Sequence, residues 1–472
     1  MMARVVIVGA GPIGLATAIL LARDGHAVTV LEKDAQAPPV TELEAWERWE
    51  RRGVAQFRQA HFMQARFRHL LDAELPEVRN QIRALGGRRF NLITALPQSL
   101  SDRSFRPGDE RFETLTGRRP ILEYAFAQVA ARTPAIEIVR GVGVDGPIVG
   151  RSVRPGIPHV IGVRTKDGAV FSADLIIDAM GRRSTLGEWV VALGGRAPYE
   201  EATDAGFAYY TRHFRSRDGS VPAFRGPVSA TLGSILTLTV LADNDTWTVA
   251  IAAMAGDRPL KALRHNEVWE RVARTIPHVA HWIDGDPLCD VTPMAGVLDR
   301  YRRIVVDSQP VVTGLLPVGD AWACTNPTAG RGFSLGLMHA IALRDAMREV
   351  PDDPARLAEV FDHVTEEALT PWYRDQINRD YQRAAEVQTA IDGRAPVRSP
   401  NDPAKQMQAA LLTAASFDPD VARAFFEVFS CLALPAEILG RPRIHEKVAA
   451  YIGVAPPQMP GPTRAELVAL MS

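Results

Sequence analysis

The stretch that most limits what this chain can fold into is RVVIVGAGPIGLATAILLARDGHAVTVLEKD, residues 4–34. Val5 to Val8 form a short β-branched apolar run, the pattern of a strand covered on both faces in a parallel sheet. Gly9, Gly11 and Gly14 come next at GxGxxG spacing. The first glycine permits a tight turn, the second lets backbone approach a pyrophosphate, and the third lets the next helix lie against the sheet. The pattern predicts a helix from about Ile13 to Asp24, preceded by Pro12 and stopped by Gly25, and then a strand ending at Glu32. A pyrophosphate would sit on the helix N-terminus. Glu32 would accept from ribose hydroxyls and repel a 2′-phosphate, so the turn is built for FAD or NAD rather than NADP. Lys33, beside it, adds charge near the ribose.

The full chain has 472 residues, enough for several packed layers. Lys plus Arg number 54 against 55 Asp plus Glu, a balance that gives no nucleic-acid or acidic-membrane footprint and points to a small-molecule partner. Cys289, Cys324 and Cys431 are scattered, without a CxxC or Cys/His cluster, so neither a disulfide framework nor a metal site is expected. The first strand begins within a few residues of Met1, which leaves no room for a signal peptide, and no apolar run reaches the roughly 20 residues that cross a bilayer. A reducing cytoplasmic setting is the expectation. The oligomeric state stays open.

The chain beyond Asp34 separates FAD from NAD. There the alternation of strand and helix stops, and an Arg-rich, helical stretch begins. The sheet resumes near SADLIIDAMGRRS, where Leu175 to Ile177 lead into Asp178 and Gly181, and again at GLLPVGDAWACTNPTAGRGFSLG, with Gly319, Asp320, Pro327, Gly330, Gly332 and Phe333. With these motifs in order, the chain resembles the flavoprotein monooxygenases of the para-hydroxybenzoate hydroxylase type, over residues 3 to about 348. The resemblance implies FAD as cofactor, with Asp320 on a ribityl hydroxyl and the Pro327 to Gly332 loop against the isoalloxazine. The helix from Phe333 would aim its N–H groups at the flavin N1 and C2 carbonyl. It also implies Arg119, in GRRPILEYAFAQV, as a phosphate ligand, and Val144 as a backbone contact to adenine.

Two departures stand in these motifs, of which the first bears on the electron donor and the second leaves FAD binding in place. Ala179 stands where the family often has Gly, and Ala323 where His is frequent. NADPH or NADH is the expected donor, directly or through a separate reductase. RRGVAQFRQAHFMQ is similar to a stretch of the FAD-dependent epoxidase branch, carried by Gly53, Gln56, Arg58 and His61. WERW at Trp46 to Trp49 is not the WxWxIP stretch of the halogenases on this fold.

Between the second and third motifs, short alternating runs such as GFAYYTRHFR and SILTLTVLADNDTWTVAI read as an antiparallel sheet, with a hairpin at Asp243 to Asp245. In the resembling family such a sheet roofs the substrate pocket, which makes Gln56, Phe207, Tyr209, Tyr210, Trp247 and Met294 candidate walls. No carboxylate pair, Ser/His/Asp set or metal-ligand set is evident, so no catalytic residue is assigned; Arg212, His213 and His61 are the polar candidates. The expected fold is α/β, and α+β overall: a Rossmann-like FAD domain (1–75, 110–190 and 300–350) interleaved with an antiparallel substrate domain (76–109 and 191–299), then a helical region (351–472). The implied function is insertion of one atom of O2, by epoxidation or hydroxylation through a flavin C4a-hydroperoxide, into an apolar or aromatic metabolite. A flavin dehydrogenase or reductase is the alternative on the same fold. A non-catalytic binding protein is the alternative from another class.

Overall fold

The computed structural model describes residues 2–394 and 402–472. Its central layer is a five-stranded parallel sheet in the order Leu315–Pro317, Leu175–Asp178, Arg4–Val8, Ala27–Glu32 and Ile136–Arg140. The three central strands are mostly apolar and buried because both faces are covered. Helix Pro12–Arg23 carries no charge before Arg23 and buries most of its circumference, lying between the sheet and helices Arg119–Arg132 and Gly332–Glu349. From Arg4–Val8 the sheet extends to Ala27–Glu32 on one side and to Leu175–Asp178 on the other. Such a switch point opens a crevice beyond the carboxyl ends of the strands, where ligands bind in open α/β sheets.

The second large layer is an antiparallel sheet built on Phe207–Arg215, Ser229–Leu232, Ile235–Leu241 and Thr246–Met254, with short strands Asp286–Pro287 and Thr292–Met294 on Phe207–Arg215. The hairpin lies where the sequence predicts it: Asn244 and Asp245 take φ of 47° and 52° between its strands. The outer face, with Tyr210, Phe214 and Trp247, is covered by helix Asn266–Arg274 and by C-terminal helices between Pro403 and Ala449. The inner face turns toward the crevice.

Two of the expected domain limits separate residues that pair. Residue 300 lies within Leu298–Arg303, which pairs with both Tyr199–Asp204 and Ala323–Cys324, and 109/110 lies in the connection between the paired strands Arg88–Asn91 and Glu113–Thr116. Hydrogen-bonded strands here cross from one layer to the other, and composition does not report such pairings. The region after residue 351 is helical, with 395–401 outside the described residues. Among the described residues, no helix is long and apolar enough to cross a membrane.

The hairpin tip is bolted to the nucleotide layer. Arg118 donates from its backbone N–H to Asp243 at 2.6 Å, and its guanidinium straddles the same carboxylate at 2.5 to 3.1 Å. Both side chains are buried. Removing one partner strands a buried charge, so Asp243→Ala is expected to cost about 3–5 kcal/mol of stability, read as a lowered urea midpoint.

Candidate flavin and substrate site

The crevice begins at the turn after the first strand. Gly9 has φ of +113°, and a Cβ there would lie 2.5 Å from the Ala179 carbonyl; a Cβ on Gly14 would lie 2.2 Å from the Gly9 carbonyl. Only glycine allows this approach of helix to sheet. Gly11, at the N-cap of Pro12–Arg23, is different: nothing lies within 4 Å of its Cβ position, and no side chain caps the helix. The same holds at Gly332, the first residue of Gly332–Glu349. Ile13 locks the two helices together, since a Cβ on Gly319 would meet it at 3.1 Å and one on Gly336 at 2.6 Å.

Glu32 is 3% exposed. Its Oε2 accepts from the Ala10 N–H at 3.0 Å and from Arg51 at 2.8 Å, while Oε1 accepts only from the Asp34 N–H, at 3.0 Å. Arg51 also binds Asp34 and Glu123, each at 3.0 Å, so one guanidinium serves three carboxylates at the end of the strand. Their combined field raises the guanidinium's affinity for its proton despite its burial. In sequence Arg51 belongs to the Arg-rich stretch after Asp34, and nothing in its spacing marks it as buried. Lys33 is exposed and folds over Gly53, with its Nζ 2.8 Å from that glycine's Cβ position. The Val142 N–H, rather than that of Val144, donates to the Glu32 carbonyl; Val144 begins the next strand, paired with Thr165.

Arg119 opens helix Arg119–Arg132, donates to Glu123 at 2.6 Å and to His61 Nε2 at 3.2 Å, and lies over the Phe333 ring at 5.6 Å. Since Nε2 accepts from a guanidinium, the His61 proton sits on Nδ1, which donates to the Gln59 carbonyl at 2.9 Å. Burial and then Arg119 push the imidazole down to about 3. A ring held neutral in this way orients Arg119 and is a poor general base.

Asp178 is fully buried and spends its carboxylate on its own turn, accepting from the Met180 N–H at 2.9 Å and from the Ser184 hydroxyl at 2.5 Å. Gly181 has φ of +67° and faces Asp320. The Asp320 carboxylate accepts no hydrogen bond from any described residue, although burial raises its proton affinity above the ordinary carboxylate value. Pro327–Ala329 form a short turn closed by Gly330, with φ of +66°, and a Cβ on Gly330 would lie 2.6 Å from the Phe62 carbonyl. Helix Thr370–Ile391 holds this turn from behind. Thr328 donates to Asp380, Gln376 bridges the pair, and Arg331 is paired with Asp375 at 2.7 Å.

Over the turn lies a cavity. Its volume is about 40 Å³, and it is open to solvent on one side. Strand alternation sorts the candidate walls. Tyr209 and Met294 line the cavity and Phe207 packs beside them, whereas Tyr210, Trp247 and Arg212 are on the outer face. There Trp247 donates to the Trp282 carbonyl at 2.6 Å, and Arg212 ties its strand to Glu270 and the Cys289 carbonyl. His213 points inward but is sealed under Trp46, between the Arg58 carbonyl and Thr248. Burial pushes it down to about 4. Gln56 is half-buried and outside the cavity; three residues on, Gln59 reaches it, accepting from Thr211 at 2.6 Å and donating to the Thr292 carbonyl at 3.1 Å.

Behind Tyr209, whose hydroxyl donates to Asn326, stands Asp299, which accepts from the Asn326 N–H. Burial pushes the Asp299 carboxyl up to about 7. Its folded value therefore exceeds its unfolded one, near 3.9. Between these values the unfolded chain releases the proton and the native protein keeps it, so this group lowers stability as pH rises from about 4 to about 7. Asp299→Asn keeps an acceptor for the Asn326 N–H. Its stability gain over the parent, from paired urea titrations, is expected to grow across that window and then level off.

Comparison with known proteins meets this geometry at the first turn. A family profile described as FAD dependent oxidoreductase matches residues 4–41. Protein Rv3254 of Mycobacterium tuberculosis (strain ATCC 25618 / H37Rv) is 26% identical over 363 residues, which cover 73% of this chain and 72% of that one. Among solved structures, PqsL of Pseudomonas aeruginosa, a probable FAD-dependent monooxygenase, superposes with a TM-score of 0.59 at 17% identity, covering 83% of this chain and 97% of its own. The anhydrotetracycline hydroxylase OxyS of Streptomyces rimosus gives 0.54 at 19% identity, covering 92% and 77%. A flavoprotein/dehydrogenase of Cytophaga hutchinsonii gives 0.61 at 14% identity, covering 96% and 99%. The fold of this chain is therefore that of the FAD-dependent monooxygenases and the flavoproteins built like them.

Proposed function

We propose that the protein is an FAD-dependent monooxygenase that transfers one oxygen atom from O2 to a small apolar or aromatic molecule, by epoxidation or hydroxylation. The observation that carries the reading is the pair of uncapped helix N-termini, at Gly11 and Gly332, with open space at both glycines and a free Asp320 carboxylate close by. This donor and acceptor set fits FAD. The first helix N-terminus takes the pyrophosphate, the open acceptor position of Glu32 Oε1 takes a ribose hydroxyl, and Asp320 takes a ribityl hydroxyl. The second helix N-terminus favours negative charge on the flavin ring, and the Pro327 to Gly330 turn supports that ring.

When bound and reduced, FAD supplies the chemistry that activates O2. The chain's own residues bind, orient and exclude water. The inner sheet face closes one side of the cavity, and Gln59 and Thr211 fix the approach of the residue 59–62 segment to it. Neither His61 nor His213 takes up a second ring proton at neutral pH, so neither serves as a base to ionise a phenol, which suits oxygen transfer to an uncharged double bond. The PqsL complex with 2-aminobenzoylacetate supports a small-molecule ligand on this fold. Residues 1–75, 110–190 and 300–350 serve the cofactor in this reading, and 76–109 and 191–299 the substrate. The electron donor is NADPH or NADH, directly or through a reductase.

Two outcomes test the proposal. Gly11→Val adds bulk only to the open cradle, at φ of −74° and ψ of 171° that any residue adopts. Its melting midpoint without FAD is expected to stay near the parent's, while FAD uptake falls at least about tenfold, the loss of about 1.4 kcal/mol of binding energy. With FAD-loaded parent protein, anaerobic addition of NADPH or NADH is expected to bleach the flavin, and readmission of labelled O2 with an accepted substrate to label the product. Desaturated product and peroxide without label would replace the monooxygenase by the dehydrogenase reading.

A further inference from the structure

We infer that the cavity selects an uncharged molecule, largely apolar and carrying one hydrogen-bonding group, and that Ser229 is the residue that reads that group. This selectivity deepens the monooxygenase reading and rests on it for the cavity's place over the flavin. Of the side chains that line the cavity, only Tyr209 can ionise. Its hydroxyl is already donated to Asn326, and burial holds its proton well above the ordinary phenol range.

The remaining polar groups are nearly all committed. Thr211 donates to Gln59, both ends of the Gln59 amide are used, and the Thr328 hydroxyl donates to Asp380 while accepting from Gln376 at 3.1 Å. Thr237 touches the cavity from a strand position whose side chain points to the other face, where it meets His278 at 3.1 Å. Ser229 is the exception. It stands opposite Leu238 on the inner face, half-buried, and its hydroxyl has no hydrogen-bond partner among the described residues. Ala250 and Ala252 leave the floor low between Leu236 and Leu238, so apolar bulk has room beside that hydroxyl.

Charge is excluded on electrostatic grounds. An anion would find no cation on the wall, and the buried acids Asp299 and Asp380 stand one residue behind it. A cation would find those two carboxylates covered by Asn326 and Thr328, with no free acceptor that carries charge. A charge buried without a partner is strongly disfavoured.

The test uses four probes on one skeleton: allylbenzene, 3-phenylpropan-1-ol, 3-phenylpropionate and 3-phenylpropylammonium. Each is titrated into FAD-loaded protein, with the flavin difference spectrum and calorimetry as readouts. The two neutral probes are expected to bind, and the two ions at least about tenfold more weakly. In Ser229→Ala the preference for the alcohol over allylbenzene should fall about fivefold, the worth of one hydrogen bond, with affinity for allylbenzene unchanged. Ala252→Phe, which fills the floor, should weaken both neutral probes about tenfold or more without changing FAD uptake. The inference is overturned if the carboxylate or the ammonium binds as tightly as the alcohol, if Ser229→Ala leaves the preference intact, or if no probe binds. Failure to take up FAD would overturn the parent reading instead, and calorimetry on the same protein would still decide this one.

Discussion

The close approach of helix Pro12–Arg23 to strand Arg4–Val8 is the constraint on which the rest of the molecule depends. It exists because Gly9 and Gly14 lack side chains where a Cβ would overlap backbone. That contact sets the height of the helix above the sheet, and so the position of its free N–H groups. Ile13 then carries the same alignment to Gly319 and Gly336, bringing the second helix N-terminus alongside the first. Two partial positive charges thus face one crevice, with the N-cap Arg331 of the second helix turned away into its pair with Asp375.

Around that crevice several buried charges are held in ion pairs. Arg51 neutralises Glu32, Asp34 and Glu123; Arg118 is clamped by Asp243; Arg331 is clamped by Asp375. Buried ion pairs of this kind add little net stability over apolar packing, but breaking one is costly. They hold the hairpin tip, the strand end and the Pro327 to Gly330 turn in arrangements that leave none of these charges stranded. The cavity wall obeys the opposite rule, with uncharged side chains whose polar atoms are mostly spent on one another. Charge organises the frame, and its absence shapes the pocket.

Much of the frame was legible in the sequence because it rests on short-range rules. The predicted helix from Ile13 to Asp24 is observed as Pro12–Arg23, the strand to Glu32 as Ala27–Glu32, and the later strand as Leu175–Asp178. The hairpin at Asp243 to Asp245 arises from turn chemistry in the same way. The pocket was less legible. A strand's alternation separates its two faces but does not say which of them meets the crevice, so Tyr209 and Tyr210 look equivalent until the sheet is docked. Asp178 lies in one of the motifs that carry the sequence resemblance, yet its carboxylate is consumed by its own turn.

By itself the sequence determined the glycine-rich first turn, the order of strand and helix around it, and the place of the later Gly-rich turns, because those depend on glycine conformation and on neighbours a few residues apart. Only the tertiary structure decided which charges are buried and paired, which face of the antiparallel sheet lines the cavity, and which polar group there is left without a partner. Arg51 meets Glu123 across 72 positions, Thr211 meets Gln59 across 152, and Thr328 meets Asp380 across 52. Contacts between residues so far apart in the chain are set by how whole layers pack, and no local pattern encodes them.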